Sequence, residues 1–430
     1  MEKFKYQEIE NYENKKNNIL NAIQRENGGV LPIGYDNDMF VSALIKIIEH
    51  LENNYKTTIK VEDIPDAKNF TRQKKEYSIT SFVLNRVLKN VKSVNFRDID
   101  KENPDRMGGY ITYKDGTHDI TLYTTVLSNN LDFLKTRKIN NKFESDEDFR
   151  KILLEETMIH EVIHAISDNS LGVGFDKGIN NSSEVAFNEG MTENLAIEIA
   201  GLRDFSNTLY RSGERNFVVK TQTNSGYMLE TNIINLIRIA SKEDMTIPYL
   251  VNPNTIKFGI FEKIKIYNSS NPLETIMIKL NKAVEESKKT KKGYNPITDE
   301  SIDMQDSNLT PFQELQTMLI EDIFQNKYNK VFLDKIRQSG KALTQDEYDK
   351  FNQDMLIIGK CLVPTLNYKL DLEEKKEFAQ NDNFVTSQNI MKLLQNQIIE
   401  PTSNILRYRD LLFAMENVQK DFAQDLTTER

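Results

Sequence analysis

Residues 155–169 read EETMIHEVIHAISDN, and inside them His160 and His164 stand four apart around Glu161. On a helix, side chains four apart project from one face about 6 Å from each other. Two imidazoles so placed can hold one ion at roughly 2.0 to 2.1 Å, with a carboxylate or a third histidine from elsewhere completing a catalytic set. Glu161 follows the first histidine and is angled to the same side, where it can take a proton from an activated water and pass it to a leaving amine. The whole chain has only four histidines, His50, His118, His160 and His164. Finding two of them in H-E-x-x-H is therefore poorly explained by chance. Phe149, Ile152, Leu153, Ile159, Val162, Ile163 and Ile166 make the same segment apolar over much of a helix circumference. Buried imidazoles without partners cost about 1 to 3 kcal/mol each, and one metal ion satisfies both.

A third ligand is offered by the next helical stretch, SSEVAFNEGMTENLAIEIAG, in which Glu189 and Glu193 are again four apart on one face. With NEGMTE following HEVIH, the chain resembles the gluzincin superfamily of zinc metallopeptidases, whose thermolysin-like members pair HExxH with a glutamate on a following helix and an acid four positions later. The resemblance covers residues 90–240. It implies zinc held by His160, His164 and Glu189, Glu161 as general base, and Glu193 accepting a hydrogen bond from His160 to fix its tautomer. Residues 165–188 suit a helix end, a loop and a new helix, and Gly190 suits a close approach of the two helices. Glu184 and Glu198 are alternative acids on that stretch, with a less regular acidic partner spacing.

The chain departs from the thermolysin pattern in that no histidine follows His164. The resemblance then implies a tyrosine hydroxyl at the developing oxyanion, with Tyr227 in NSGYMLE and Tyr210 in NTLYRSGER as candidates. Arg211 and Arg215 are further candidates for a substrate carboxylate or the oxyanion. It also implies that the strand at 108–113 is the cleft edge, where Gly109, Tyr110 and Ile111 pair with an extended peptide. His118, beside the expected turn, reads as a turn residue. FAMEN at 413–417 is similar to an aminopeptidase motif, but there the motif precedes HExxH, and here it lies far downstream on an amphipathic helix with Ile405, Tyr408, Leu412 and Met415 as its stripe; it reads as coincidence.

The elements that must position these residues are legible from period and punctuation. FVSALIKIIEHLENNY at 40–55 places Phe40, Leu44, Ile47, Ile48 and Leu51 on one stripe, with His50 beside it. After a helix near SFVLNRVLKN, the segments VKSVNF, GGYITY and HDITLY read as short strands. The last two flank Lys114, Asp115, Gly116 and Thr117, a strong hairpin signal. The HEVIH helix is expected to start at Ser145, with Asp148 as a capping-box variant, and to run to about Ser167. A loop, SDNSLGVGFDKGINNSS, then leads to a second helix starting near Ser182 or Ser183. Beyond Gly226 the pattern is largely helical: ETNIINLIRIA, the run around NPLETIMIKLNKAVEE, QELQTMLIEDIF, IMKLLQNQIIE and NILRYRDLLFAMENV, the last two separated by Pro401. The four lysines at 288, 289, 291 and 292 read as a solvated loop.

The expected fold class is α+β: a zincin-like peptidase core at 76–245, a helical amino-terminal segment at 1–75 and a mainly helical carboxy-terminal domain at 246–430. That division suits a chain of 430 residues. A net charge of -9 argues against nucleic acid and anionic membrane as main partners. The single cysteine, Cys361, excludes a disulfide framework and a cysteine zinc site. The charged amino terminus lacks a signal-peptide pattern, and no stretch approaches the roughly 18 apolar residues of a membrane span. The expectation is a cytoplasmic zinc metallopeptidase acting on peptides or proteins, with non-classical export left open. A silent zincin-fold binding protein and a zinc hydrolase of non-peptide amides are the rival classes.

Overall fold

The computed structural model describes residues 5–55, 58–70, 73–101, 108–112, 118–124, 145–169, 172–173, 182–200, 228–241, 244–253 and the single positions 255, 276, 278, 315, 319 and 322. The chain divides into two compact units: Met1–Leu209 with Glu214–Met228 and Met245–Ile256, and Tyr210–Gly213 with Leu229–Asp244 and Lys257–Arg430. The described residues form mixed helix and sheet. Among them no helix is long and apolar enough to cross a membrane.

In the first unit, helix α1 (Tyr12–Glu26) turns Ile19, Ala22 and Ile23 inward. Helix α2 (Asp38–Tyr55) buries Phe40, Leu44, Ile47, Ile48 and Leu51, the stripe expected from its period, and leaves His50 partly exposed beside Asn54. Two short strands, β1 (Ile59–Lys60) and β2 (Glu76–Tyr77), pair antiparallel. They were too brief to show a period. Helix α3 (Ile79–Asn90) begins at Ser78, whose hydroxyl accepts the Ser81 amide at 3.2 Å, and passes without a loop into strand β3 (Val91–Arg97). Gly34, at φ 78°, lets the preceding segment reach this strand: a Cβ there would meet the Val94 carbonyl oxygen at 2.1 Å. The Val94 amide accordingly donates to the Ile33 carbonyl at 3.0 Å.

Strands β3, β4 (Gly108–Thr112) and β5 (His118–Tyr123) make one sheet in the order β3-β5-β4. β5 is central and buried along its length, parallel to β3 and antiparallel to β4, with Tyr110 opposite Ile120 and Thr112 opposite His118. β4 is thus an edge strand among the described residues. The turn at 113–117 lies outside them.

Helix α4 (Asp146–Ser167) starts where its cap signal places it, the Ser145 hydroxyl accepting the Asp148 amide at 3.0 Å. It packs against α2, α3, β4 and β5 and buries Ile152, Leu153, Met158, Ile159, Val162, Ile163 and Ile166. Near its start, buried Glu155 accepts from Ser42 at 2.6 Å, from the Tyr6 hydroxyl at 3.0 Å and from Lys46. Helix α2 is therefore pinned to α4 by polar as well as apolar contacts, and Tyr6 ties the segment before α1 to the same carboxylate. Beyond α4, β6 (Asp168–Asn169) and β7 (Gly172–Val173) pair antiparallel, so the segment read as a loop opens with a small ladder. Helix α5 (Ser182–Ile199) packs on α4. In the second unit, α6 (Met228–Ser241) buries Ile233, Ile234, Leu236 and Ile237, and helical positions Leu315, Leu319 and Asp322 are buried at helix spacing. The chain rejoins the first unit as α7 (Thr246–Val251), which packs on α4.

Under this assembly Arg86 is fully buried. It grips Asp66 with both terminal nitrogens, at 3.0 and 2.9 Å, and donates to the carbonyls of Asp168 and, at 3.0 Å, Val251. Burial presses its pKa down and the Asp66 charge opposes that. Lys89 adds a second cation to Asp66 Oδ2 at 2.6 Å, while Arg86 Nε makes no hydrogen bond.

Candidate metal centre

Helical spacing brings His160 and His164 from α4 and Glu189 from α5 to one point. His160 Nε2 and His164 Nε2 each lie 3.2 Å from the same oxygen of Glu189, Oε2, and 3.1 Å from each other. Among the described residues this is the group of three whose ligand atoms could hold one metal ion. An ion at about 2.0 to 2.1 Å from three atoms so spaced would see them at angles of roughly 100°, near tetrahedral. Protons alone serve the trio poorly, because each close pair admits only one hydrogen between its members. Two nitrogens and one carboxylate oxygen are a donor set that several first-row divalent ions accept, zinc among them.

The polar groups behind the ligands are placed with equal definition. His160 Nδ1 is 3.0 Å from Glu193 Oε2, and Glu193 is fully buried. Burial disfavours a charged His160, yet the carboxylates of Glu189 and Glu193 outweigh it and hold its pKa well above the ordinary imidazole value. Burial likewise works to raise the pKa of Glu189, and the two imidazoles overcome it and draw the carboxyl far below its usual range. On the other ring, Asn188 Nδ2 and Thr192 Oγ1 each lie 3.4 Å from His164 Nδ1. Helix α5 can turn Asn188, Thr192 and Glu193 inward because its apolar residues, among them Phe187, Met191, Leu195 and Ala196, are buried on the remaining circumference.

Glu161 is buried on α4, and β4 crosses it closely. A Cβ added to Gly108 would sit 2.7 Å from Glu161 Oε1 and 2.8 Å from Thr157 Cγ2. Tyr110, two residues on, places its ring 6.4 Å from that of His164 and donates its hydroxyl to Asp168 Oδ2 at 2.8 Å. Burial, and then the Asp168 charge, raise the Tyr110 hydroxyl pKa well above its ordinary value, so it stays a donor. Gly109 is buried next to it, and Ile111 continues the strand.

His118 is not a turn residue. It opens β5, is buried, stacks on Tyr110 with ring centroids 4.1 Å apart, and lies with Nε2 2.9 Å from Asp168 Oδ2. The alternation of HDITLY showed the strand, but its first residue was assigned to the turn at Asp115-Gly116 beside it. Asp168, which closes the HEVIH helix, is the partner of both rings, a pairing that no local spacing shows. Tyr249 of α7 was equally hidden: its buried hydroxyl meets Asn188 and Thr192 behind His164.

Glu198 is on α5 beyond Glu193, and the three-atom cluster does not include it. Tyr227, Tyr210, Arg211, Arg215, Cys361, the lysines at 288–292 and the FAMEN stretch lie outside the described residues. Comparison of the chain with protein-family models, with curated proteins and with solved structures finds no match.

Proposed function

We propose that the protein is a zinc-dependent metallopeptidase of gluzincin type, built on a zincin-like core. The observation that carries this reading is the convergence of His160 Nε2, His164 Nε2 and Glu189 Oε2 within 3.2 Å, with Glu161 on the same helix beside an edge strand. Bound there, zinc would supply Lewis acidity and a water of lowered pKa.

The chain's own residues do the rest. His160, His164 and Glu189 hold the ion, and Glu193 keeps the His160 Nδ1 proton in place so that Nε2 faces the ligand cluster. Glu161 accepts a proton from the attacking water and returns it to the departing amine, which breaks the peptide bond and frees an acid and an amine. The backbone of Gly109, Tyr110 and Ile111, on the edge strand, aligns an extended peptide by strand addition, which gives a protein or peptide substrate rather than a small amide. Tyr227 is assigned the hydrogen bond to the developing oxyanion.

Purified protein is expected to carry stoichiometric zinc by elemental analysis and to cleave an unfolded protein in a chelator-sensitive manner. Glu161→Gln is expected to keep the zinc and to lose about 10²–10⁴-fold in kcat. Wild-type protein that binds no zinc, or a Glu161→Gln variant that cleaves as fast as wild type, would falsify the reading.

A further inference from the structure

A ring that binds metal through Nε2 must carry its proton on Nδ1, and a buried N–H needs an acceptor. For His160 that acceptor is Glu193. For His164 the neighbouring polar atoms are the Asn188 amide and the Thr192 hydroxyl, each 3.4 Å from Nδ1. Both groups are ambivalent, since an amide offers oxygen or nitrogen and a hydroxyl turns either way. Neither alone defines the tautomer of His164.

A further polar group reaches both of them from α7. The Tyr249 side chain is fully buried. Its hydroxyl lies 2.8 Å from Thr192 Oγ1, donates to Asn188 Oδ1, and is 3.3 Å from the Asn188 carbonyl. His164, Thr192, Tyr249 and Asn188 therefore form a closed ring of polar groups. In one sense of the ring, His164 Nδ1 donates to Thr192, Thr192 to Tyr249, and Tyr249 to the Asn188 oxygen. With the amide reversed, His164 donates to the Asn188 oxygen, the amide nitrogen to Tyr249, and Tyr249 to Thr192. Where the Asn188 amide nitrogen instead donates to a bare Nδ1, His164 carries its proton on Nε2 and cannot bind metal through it; in the two senses above Nδ1 keeps the proton. Both senses need a group at position 249 that accepts one hydrogen bond and donates another. A phenol does that and a phenyl does not.

Resting on the zinc reading, we infer that Tyr249 is a positioning residue for the metal centre: through Thr192 and Asn188 it fixes the tautomer and orientation of His164, and it holds the turn of α5 that carries Glu189. It touches neither ion nor substrate.

The test is zinc affinity by chelator competition on the folded full-length chain, with unfolding of the metal-free protein measured alongside. Tyr249→Phe is expected to weaken zinc binding about 10–100-fold. Thr192→Val is expected to weaken it comparably, and the double variant to lose little more than either single one. Tyr35→Phe is the control, another fully buried phenol, whose hydroxyl donates to the Val87 and Val91 carbonyls rather than to His164, Asn188 or Thr192. Its zinc affinity is expected to stay within about twofold of wild type. An unchanged affinity in Tyr249→Phe, or an equal loss in Tyr35→Phe, overturns the inference. Should Tyr249→Phe not fold, Thr192→Val decides: unchanged affinity there also overturns it. Wild-type protein that binds zinc without cleaving peptides would sink the peptidase reading and leave this one standing; wild-type protein that binds none removes both.

Discussion

Gly108 on the edge strand and Glu161 on helix α4 approach so closely that a Cβ on the glycine would lie 2.7 Å from the carboxylate oxygen Oε1. Thr157 Cγ2 and Leu122 Cδ2 close the same space at 2.8 and 3.2 Å, so an added methyl must displace either the strand or the carboxylate. Gly108→Ala is therefore expected to lower kcat by about 10²-fold, the usual result of a 1 Å misplacement. Zinc content should be unaltered, because no metal ligand is touched. Undiminished turnover in this variant would show that the strand does not set the position of Glu161.

Zinc uptake should be proton-coupled. His160 has its pKa raised by Glu189 and Glu193 in the metal-free fold, whereas metal needs the neutral ring. Binding below that raised pKa expels a proton, so apparent affinity falls as pH is lowered and levels off above it. The same ion pairs stabilise the metal-free protein below the ordinary imidazole pKa, and that contribution is lost as pH rises through the raised value. Calorimetry in two buffers of different ionisation enthalpy measures the proton; equal apparent heats would contradict the assignment.

Glu193→Ala is expected to reduce zinc affinity about 10–100-fold, since His160 Nδ1 loses its acceptor at 3.0 Å. Glu193→Gln keeps an acceptor without the charge and should fall between it and wild type. Competition with a chelator ranks the three proteins.

Arg86→Met should be a stability variant. It strands the Asp66 carboxylate in the core with Lys89 as its remaining cation at 2.6 Å, and loss of one member of a buried pair costs about 3–5 kcal/mol. The urea midpoint is expected to fall with an unchanged slope. A shift below about 1 kcal/mol would mean that Lys89 alone compensates Asp66.

The part of the centre that could be read from the chain is the part written at helical spacing. His160 with His164, and Glu189 with Glu193, each sit four apart, so two short stretches carried the three clustered residues, Glu161 and the acid behind His160. The helix bounds followed from Ser145 and the serines at 182 and 183, and the three strands from their alternation. The edge position of β4 and the parallel pairing of β3 with β5 needed the sheet itself. His118, Asp168 and Tyr249 stayed hidden because their partners are remote in sequence: Tyr249 reaches back 57 residues to Thr192, and Tyr110 forward 58 to Asp168. In IPYLV a tyrosine has the pattern of an ordinary core residue, and only the depth of its hydroxyl distinguishes it. Arg86 likewise looks like a surface arginine on an amphipathic helix until Asp66, Asp168 and Val251 close around it.

The Val251 carbonyl that caps Arg86 lies 165 residues downstream of it. A ribosome therefore delivers the guanidinium and its aspartate well before the carbonyl that accepts from it. A nascent chain stalled before residue 245 lacks α7 altogether, and with it the plug over Arg86 and the Tyr249 phenol. Such a chain lacks the Val251 acceptor of Arg86 and the Tyr249 hydroxyl behind His164 however complete its HEVIH and NEGMTE stretches are, and limited proteolysis is expected to cut it faster than the full chain.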